Sequence, residues 1–319
     1  MKKVILIVLI VLGLLIVFFG LFGGFNMNVF RSEKAKNRII STYDQLLDLW
    51  NVDKVEKEIL TTYGTTNVII CGDEINPPLV LFHGVGDNSA LMWLYNAEAL
   101  SRYFRVFAID TIGGPGKSSP NKNYNKDFND IKWIDGILAE LMLDKANIAG
   151  VSNGAYLVQY YGIHRPERIL KIACLAGTVP DSTFQPMKTI MKVFLPEALF
   201  PTKKNTIKLL QKLCGKNSNV FTENAIVMEH YQYLLKGFNN MAMRHHKIVG
   251  FNDEQINSIR EKTLYLIGND DPFAKLGGKD AIFKNNMNAQ FFPEVGHGIN
   301  HEIADEINQI LIDYFLNNK

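Results

Sequence analysis

The feature that most constrains the fold of this chain is a turn at residues 150–154, which reads Gly-Val-Ser-Asn-Gly. It lies between an apolar, strand-like run at 146–149 and a helix-like run at 155–163. A strand–turn–helix context of this kind holds the serine in a strained, exposed position from which its oxygen can attack a substrate. The flanking residues must be small, because the two backbones pass close together, and Gly150 and Gly154 meet that need. The pentapeptide alone also fits an ordinary turn, so the functional interpretation of Ser152 depends on the rest of the chain.

Strand-like and helix-like segments alternate along much of the sequence. Strands are predicted at residues 55–62, 67–71, 79–83, 105–110, 146–151, 169–175, 263–267 and 289–292, the first two as a hairpin. Helices are predicted at residues 33–50, 126–143, 155–164 and 301–316. This alternation indicates an α/β fold with a mostly parallel, twisted sheet and helices on both faces.

The alternation of strands and helices is interrupted at residues 181–258, which are rich in Met, Phe, Leu and Lys and contain no convincing strand. We interpret them as a helical cap inserted over the carboxyl edge of the sheet; the alternative is a plain pair of extra surface helices. The predicted organisation therefore begins with a membrane anchor at residues 1–30 and an amphipathic leading helix at residues 31–53. The α/β core follows in two parts, at residues 54–180 and 259–319, and the cap at residues 181–258 lies between them in the chain.

The amino terminus carries a second strong pattern. All 22 residues from Val4 to Phe25 are apolar or glycine, which is enough for a helix to cross a hydrocarbon core about 30 Å thick. No small-x-small cleavage site follows, which favours an uncleaved transmembrane helix over a signal peptide. We therefore expect a single-pass membrane protein. Lys and Arg residues flank the run on both sides, so they do not decide on which side of the membrane the large domain lies. We slightly prefer the extracytoplasmic side.

Composition excludes several classes of function. The net charge of +2 is too small to indicate a nucleic-acid partner, and no basic stripe with interleaved aromatic residues occurs. The three cysteines, Cys71, Cys174 and Cys214, are an odd number and are widely spaced. They indicate neither a disulfide framework nor a metal site.

An attacking serine needs a base within hydrogen-bond reach and a third group that orients the base. In sheets of this kind the chain order is Ser, then an acid, then His. Asp271 and His297 follow predicted strands in that order, at the edge where Ser152 lies. Asp270 is the alternative acid, although it also suits a turn, and Asp181 is a more distant one.

Negative charge on the substrate oxygen requires preorganised donors. The backbone N–H groups of Asn153 and Val85 are the candidates, one at a helix amino terminus and one in a glycine-rich loop after a strand. His83, at the start of that loop, fits a packed structural role. The pair His297 and His301 has metal-ligand spacing, but Gly298 stands where a zinc-binding helix would need glutamate, so no metal is predicted.

Residues 113–118 end in Gly-Lys-Ser and are similar to a phosphate-binding loop. The full pattern would need glycine at position 111, which is Thr111, and Pro120 suits a helix poorly there. We interpret the segment as a tight loop after Asp110.

Together these motifs resemble the α/β-hydrolase fold family, and within it bacterial serine carboxylesterases. The resemblance covers residues 54–319 and rests on His83-Gly84, Asp110 with residues 113–118, the turn at 150–154, residues 268–272 and Gly296-His297. The resemblance implies that no cofactor is needed. It implies that Ser152 is the nucleophile, His297 the base and Asp271 the acid. The same resemblance implies Val85 and Asn153 as the oxyanion donors. A departure is the loop after Asp110, one residue longer than D-x-x-G-x-G-x-S.

The expected activity is that of a serine hydrolase acting on a small-molecule ester through an acyl-serine intermediate. Serine at position 152 argues against a haloalkane dehalogenase or an epoxide hydrolase, because similar proteins of those two classes have aspartate at this position. Phe184, Met187, Met191 and Phe194 favour an apolar acyl group, although they also suit packing of the cap. Two alternatives remain: another acyl-serine reaction on a peptide, lactone or carbon–carbon bond, and a non-catalytic binding protein at the membrane.

Overall fold

A nine-stranded sheet forms the centre of the fold. The computed structural model describes residues 28–181, 186–195 and 197–317, and at residues 186–189 it describes the backbone alone. The strands are β1 (Lys54–Thr61), β2 (Gly64–Cys71), β3 (Pro78–Phe82), β4 (Arg105–Ile109), β5 (Ser119–Pro120), β6 (Ala146–Val151), β7 (Ile169–Leu175), β8 (Thr263–Gly268) and β9 (Asn288–Phe292). Their order across the sheet is β1-β2-β4-β3-β6-β7-β8-β9, with β5 paired to β2.

The predicted mostly parallel sheet is confirmed. β1 and β2 form the predicted antiparallel hairpin, and β2 also runs antiparallel to β4. From β4 through β3, β6, β7, β8 and β9 every neighbouring pair is parallel. Parallel strands end at the same edge, so the loops after β3, β6, β8 and β9 meet at the carboxyl edge of the sheet.

Helices cover both faces of the sheet because its central strands are apolar on both sides. Along β3, Leu79 and Leu81 belong to one buried cluster, whereas Val80 and Phe82 belong to another. The α-helices are Glu33–Asp48, Ser89–Met92, Ala97–Ser101, Asp130–Glu140, Asn153–His164, Pro186–Phe194, Lys203–Leu213, Asn219–Thr222, Ala225–Gly237, Asp253–Ile259, Lys279–Lys284, Ile299–Glu302 and Ala304–Leu316.

The predicted leading helix is confirmed at Glu33–Asp48. Ser32 caps its first turn by accepting a hydrogen bond from the Ala35 N–H at 3.1 Å. Its apolar face is buried, and Trp50 just beyond the helix donates its indole N–H to the Ala90 carbonyl at 2.9 Å. The helix is thereby joined to the segment that follows β3.

The described residues of the segment between β7 and β8 form helices joined by turns and loops. Four of the α-helices lie there before Asp253, interspersed with short 3₁₀ turns at Glu197–Leu199 and Asn240–Met243. An isolated bridge between Phe30 and Phe238 ties this segment to the chain that precedes the leading helix. No strand occurs among the described residues of this segment.

The transmembrane helix in the predicted fold class requires correction. In the described part of the chain no helix is long and apolar enough to cross a membrane. The longest of these helices, Glu33–Asp48, has 16 residues; it extends over about 24 Å, which is less than a hydrocarbon core of about 30 Å. The apolar run from Val4 to Phe25 lies outside the described residues. The anchor and the single-pass membrane localisation are not supported, and we withdraw both.

Candidate active site

Ser152 lies at the sharp turn between β6 and the helix Asn153–His164. Its backbone is strained, with φ 56° and ψ −113°, in a region that side chains other than glycine rarely occupy. The small neighbours are required, because a Cβ on Gly150 would lie 2.2 Å from the backbone of Gly154, and one on Gly154 would lie 2.3 Å from the carbonyl oxygen of Phe82. The predicted strand–turn–helix is confirmed in these details.

His297 and Asp271 are brought together from two different loops. Asp271 follows β8 and His297 follows β9, and the His297 Nδ1–H donates to Asp271 Oδ2 at 2.9 Å. The Asp271 side chain is 2% exposed, and its other oxygen accepts the Phe273 N–H at 2.8 Å. Asp270, the alternative acid, points elsewhere and pairs with Lys275 at 2.8 Å.

The electrostatic surroundings of His297 suit a base. Burial opposes a charge on the imidazole, but the Asp271 carboxylate and its hydrogen bond outweigh that effect, with a further contribution from Glu302. The pKa of His297 is therefore raised above its ordinary value. Because Asp271 accepts from Nδ1, the Nε2 atom is the one left to receive a proton.

Two backbone N–H groups are available close to Ser152. No described residue accepts a hydrogen bond from the N–H of Val85 or from that of Asn153, and both residues line the same cavity as Ser152. Asn153 is the first residue of a helix, where the N–H has no partner within the helix. Gly86 adopts φ 77°, which lets the loop after β3 turn back over the site. His83 is buried and accepts the Thr111 N–H at 2.8 Å, as its predicted structural role requires.

A cavity of about 650 Å³ lies over this edge of the sheet. Ser152 and His297 both line it, and no hydrogen bond joins the Ser152 hydroxyl to a described side chain. Such contacts often tighten only when substrate binds. Helices between β7 and β8 contribute apolar side chains, among them Met191 and Phe194. The side chains of Phe184 and Met187, also predicted here, lie outside those that the structure describes.

Glu302 is a residue at this site that the sequence reasoning missed. Its carboxylate accepts backbone N–H groups of Gly296 and Gly298, on either side of His297, at 3.1 Å each. It also accepts the Gly215 N–H at 2.7 Å, from the helical segment between β7 and β8. Burial raises the pKa of Glu302, and these N–H groups counteract part of that rise. Its position five residues after His297 was the available signal.

Two further histidines are buried and join elements that are distant in the chain. His246 is buried, with Nδ1 2.6 Å from Asp130 Oδ1 and Nε2 2.7 Å from the Ile112 carbonyl. His301 is buried too and contacts the Leu91 carbonyl at 2.9 Å. These three contacts connect residues more than 100 positions apart, which no local sequence pattern reveals.

The remaining candidates have structural partners. The loop after Asp110 surrounds that carboxylate, and the Lys117 ammonium lies 2.6 Å from both Asp44 and Glu56, which leaves it poorly placed for a phosphate. Asp181 pairs with Lys284 at 2.9 Å. The three cysteines are buried and free. Within the described ranges, no group of three or more His, Cys, Asp or Glu side chains could hold a metal ion.

Fold and site together define a class of protein that the comparisons identify. The profile of the alpha/beta hydrolase fold family matches residues 77–302. This chain belongs to that family. It is similar to an uncharacterized carboxylesterase, nap, of Bacillus subtilis, with 27% identity over 286 residues, 87% of this chain and 92% of the relative.

Two further comparisons agree with that class. Carboxylesterase YbfK of Bacillus subtilis is 30% identical over 157 residues, which cover 49% of this chain and 53% of the relative. The crystal structure of naproxen esterase (carboxylesterase NP) from Bacillus subtilis superposes with a TM-score of 0.74 at 24% identity, over 88% of this chain and 97% of that one. The predicted resemblance to bacterial carboxylesterases is confirmed, and the chain is a hydrolase of that type.

Proposed function

We propose that this protein hydrolyses small carboxylic esters through an acyl-serine intermediate on Ser152. His297 acts as the general base and Asp271 orients it. The N–H groups of Val85 and Asn153 stabilise the oxyanion. The observation that carries the proposal is the meeting of a strained serine with a paired histidine and aspartate around one cavity.

The chemistry follows from these positions. His297 Nε2 accepts the proton of the Ser152 hydroxyl while Oγ attacks the ester carbonyl, and the two free N–H groups offset the negative charge on the carbonyl oxygen. The protonated imidazole then gives its proton to the departing alcohol. Water, deprotonated by the same His297, releases the acid and restores the serine. The raised pKa of His297 reflects the neighbouring carboxylate that stabilises the imidazolium in both steps.

We also propose that residues 181–258 act as the cap of the acyl site, and that residues 54–180 and 259–319 form the core around it. Met191 and Phe194 line the cavity on the cap side. An apolar cavity of this kind favours an apolar acyl group, because each buried CH₂ contributes about 0.8 kcal/mol. A series of p-nitrophenyl esters of increasing acyl length should therefore show rising kcat/KM until the cavity is full.

A fluorophosphonate probe tests the nucleophile directly. We expect the wild-type protein to be labelled, and the Ser152→Ala variant to lose both labelling and ester hydrolysis, with kcat lower by at least about 10⁴-fold. Ser258→Ala is the matched control, since Ser258 is exposed on another helix and donates only to the Gln255 carbonyl. Folded wild-type protein that is neither labelled nor active would favour a binding protein, and labelling without ester turnover would favour another acyl-serine reaction.

A further inference from the structure

The cavity contains a polar pair that the proposed mechanism does not use. Asp87, in the loop after β3, and Tyr231, in the helix Ala225–Gly237, both line it. The Tyr231 hydroxyl lies 3.5 Å from Asp87 Oδ2, so the two side chains meet on the wall. Asp87 is two residues beyond Val85, which limits its distance from the oxyanion donor to about 7 Å of chain.

The carboxyl group of Asp87 is firmly held at one oxygen only. Oδ1 accepts the Asn88 N–H at 2.8 Å. Asn88 is itself fixed, since its side chain accepts the Leu91 N–H and contacts His230 Nε2 at 2.9 Å. At Oδ2 the 3.5 Å contact with Tyr231 is at the limit of a hydrogen bond, and no closer donor occurs among the described residues.

A buried carboxyl oxygen without a close hydrogen-bond donor costs free energy unless a ligand supplies the missing hydrogen bond. Asp87 is 6% exposed, and most of the cavity wall around it is apolar. Burial raises the pKa of Asp87 to about 7, although the Asn88 N–H and the Tyr231 hydroxyl oppose the rise. Near neutral pH the group therefore exists both as an acid and as a carboxylate, and it can donate or accept a hydrogen bond.

A substrate hydroxyl fits this pair better than a charged group does. A hydroxyl can donate to Oδ2 and accept from Tyr231, so it is satisfied in either protonation state of Asp87. A carboxylate would meet the Asp87 charge, and an ammonium group would lose its hydration against an apolar wall. Phe221 contacts Tyr231, with ring centroids 5.9 Å apart, and a Cβ on Gly298 would lie 2.7 Å from Phe221. The pair is therefore also near the loop that carries His297.

We infer that Asp87 and Tyr231 form a subsite for a hydroxyl group within a few bonds of the scissile ester. The enzyme then selects hydroxylated esters over their deoxy analogues. This inference rests on the proposed ester hydrolysis and names its substrate class. Asp87 and Tyr231 are the specificity-determining residues.

The experiment compares kcat/KM for matched ester pairs in each protein. Glycerol monobutyrate against propyl butyrate adds two hydroxyls to the alcohol, and p-nitrophenyl 3-hydroxybutyrate against p-nitrophenyl butyrate adds one to the acyl chain. We expect a preference of about tenfold or more in one pair. It should fall to within about twofold of unity in Asp87→Ala and drop several-fold in Tyr231→Phe. Because each ratio is taken within one protein, loss of folded enzyme does not affect it.

Tyr233→Phe is the matched control, since Tyr233 lies on the same helix outside this cavity and donates to Glu229 at 2.6 Å. It should keep the wild-type ratio. A wild-type ratio near unity in both pairs, or an equal preference in Asp87→Ala, overturns the inference.

Binding to the Ser152→Ala variant separates this inference from the proposed reaction. Calorimetry with glycerol monobutyrate and propyl butyrate measures the hydroxyl preference without turnover. Tighter binding of the hydroxylated ester that disappears on adding Asp87→Ala supports the subsite even if the wild-type protein hydrolyses neither. Equal binding of both esters contradicts the subsite while leaving a Ser152-dependent esterase intact.

Discussion

Replacing Glu302 by glutamine tests how the loop that carries His297 is held. The carboxylate makes four contacts with backbone N–H groups: Oε1 with Gly296 and Gly298, and Oε2 with Gly215 and Gly296. Glutamine has the same shape but only one acceptor oxygen. Whichever oxygen it keeps, two contacts are lost and its NH₂ group faces backbone donors.

The expected loss is substantial. A hydrogen bond to a charged group contributes about 1.5–3 kcal/mol, and some relaxation will recover part of the two that are lost. We expect the free energy of unfolding to fall by about 2–4 kcal/mol, which lowers Tm by about 3–7 °C for a domain of this size. A catalytic group displaced by about 1 Å costs about 10²-fold in rate, so kcat/KM should fall by that order.

A pH profile distinguishes positioning from mere stability. In the proposed mechanism hydrolysis needs neutral His297, so kcat/KM is expected to fall as the pH drops through the pKa of His297. The charge of Glu302 helps to raise that pKa, and its removal should move the acid limb to lower pH. The matched control is Glu294→Gln, because Glu294 lies two residues before Gly296 and its side chain is 68% exposed beside Lys216. The reasoning is refuted if Glu302→Gln lowers Tm but leaves both kcat/KM and the acid limb at their wild-type values.

Three further changes have definite expected results. Asp271→Asn should lower kcat by about 10³–10⁴-fold and, since burial then acts on His297 without its carboxylate, move the acid limb of kcat/KM to lower pH; an unshifted limb contradicts this. Gly154→Ala should cost about 3 kcal/mol in urea unfolding, because its Cβ would lie 2.3 Å from a β3 carbonyl oxygen, and an unchanged midpoint argues against that crowding. His246→Ala should cost about 3–5 kcal/mol in thermal unfolding because Asp130 loses a buried partner at 2.6 Å; a cost below about 1 kcal/mol would show that the pair is not holding the fold.

The parts of the site that were predictable depend on contacts between near neighbours in the chain. The turn at Ser152 needs small residues at Gly150 and Gly154, and both lie within two positions of it. The serine, the acid and the histidine succeed one another along the chain in loops that lie at one edge of a parallel sheet. The strand pattern predicts that edge because buried strands are short apolar runs.

The parts that were missed depend on contacts between residues far apart in the chain. Sequence reasoning left Asp271 and Asp270 as alternatives, because both lie in one short turn. The tertiary structure directs Asp271 toward His297, 26 residues further on, and leaves Asp270 beside Lys275. Glu302 was likewise invisible as a partner of Gly215, which is 87 positions away.

The amino-acid sequence by itself therefore determined the α/β class, the sheet edge and the chemical types of residue that lie along it, since periodicity and small-residue turns are local properties. Only the tertiary structure decided which acid meets the histidine, which carboxylate holds the histidine loop, and that Asp87 and Tyr231 meet on the cavity wall. The physical reason is that side-chain direction depends on packing between distant elements, and a linear pattern of residue types does not contain it.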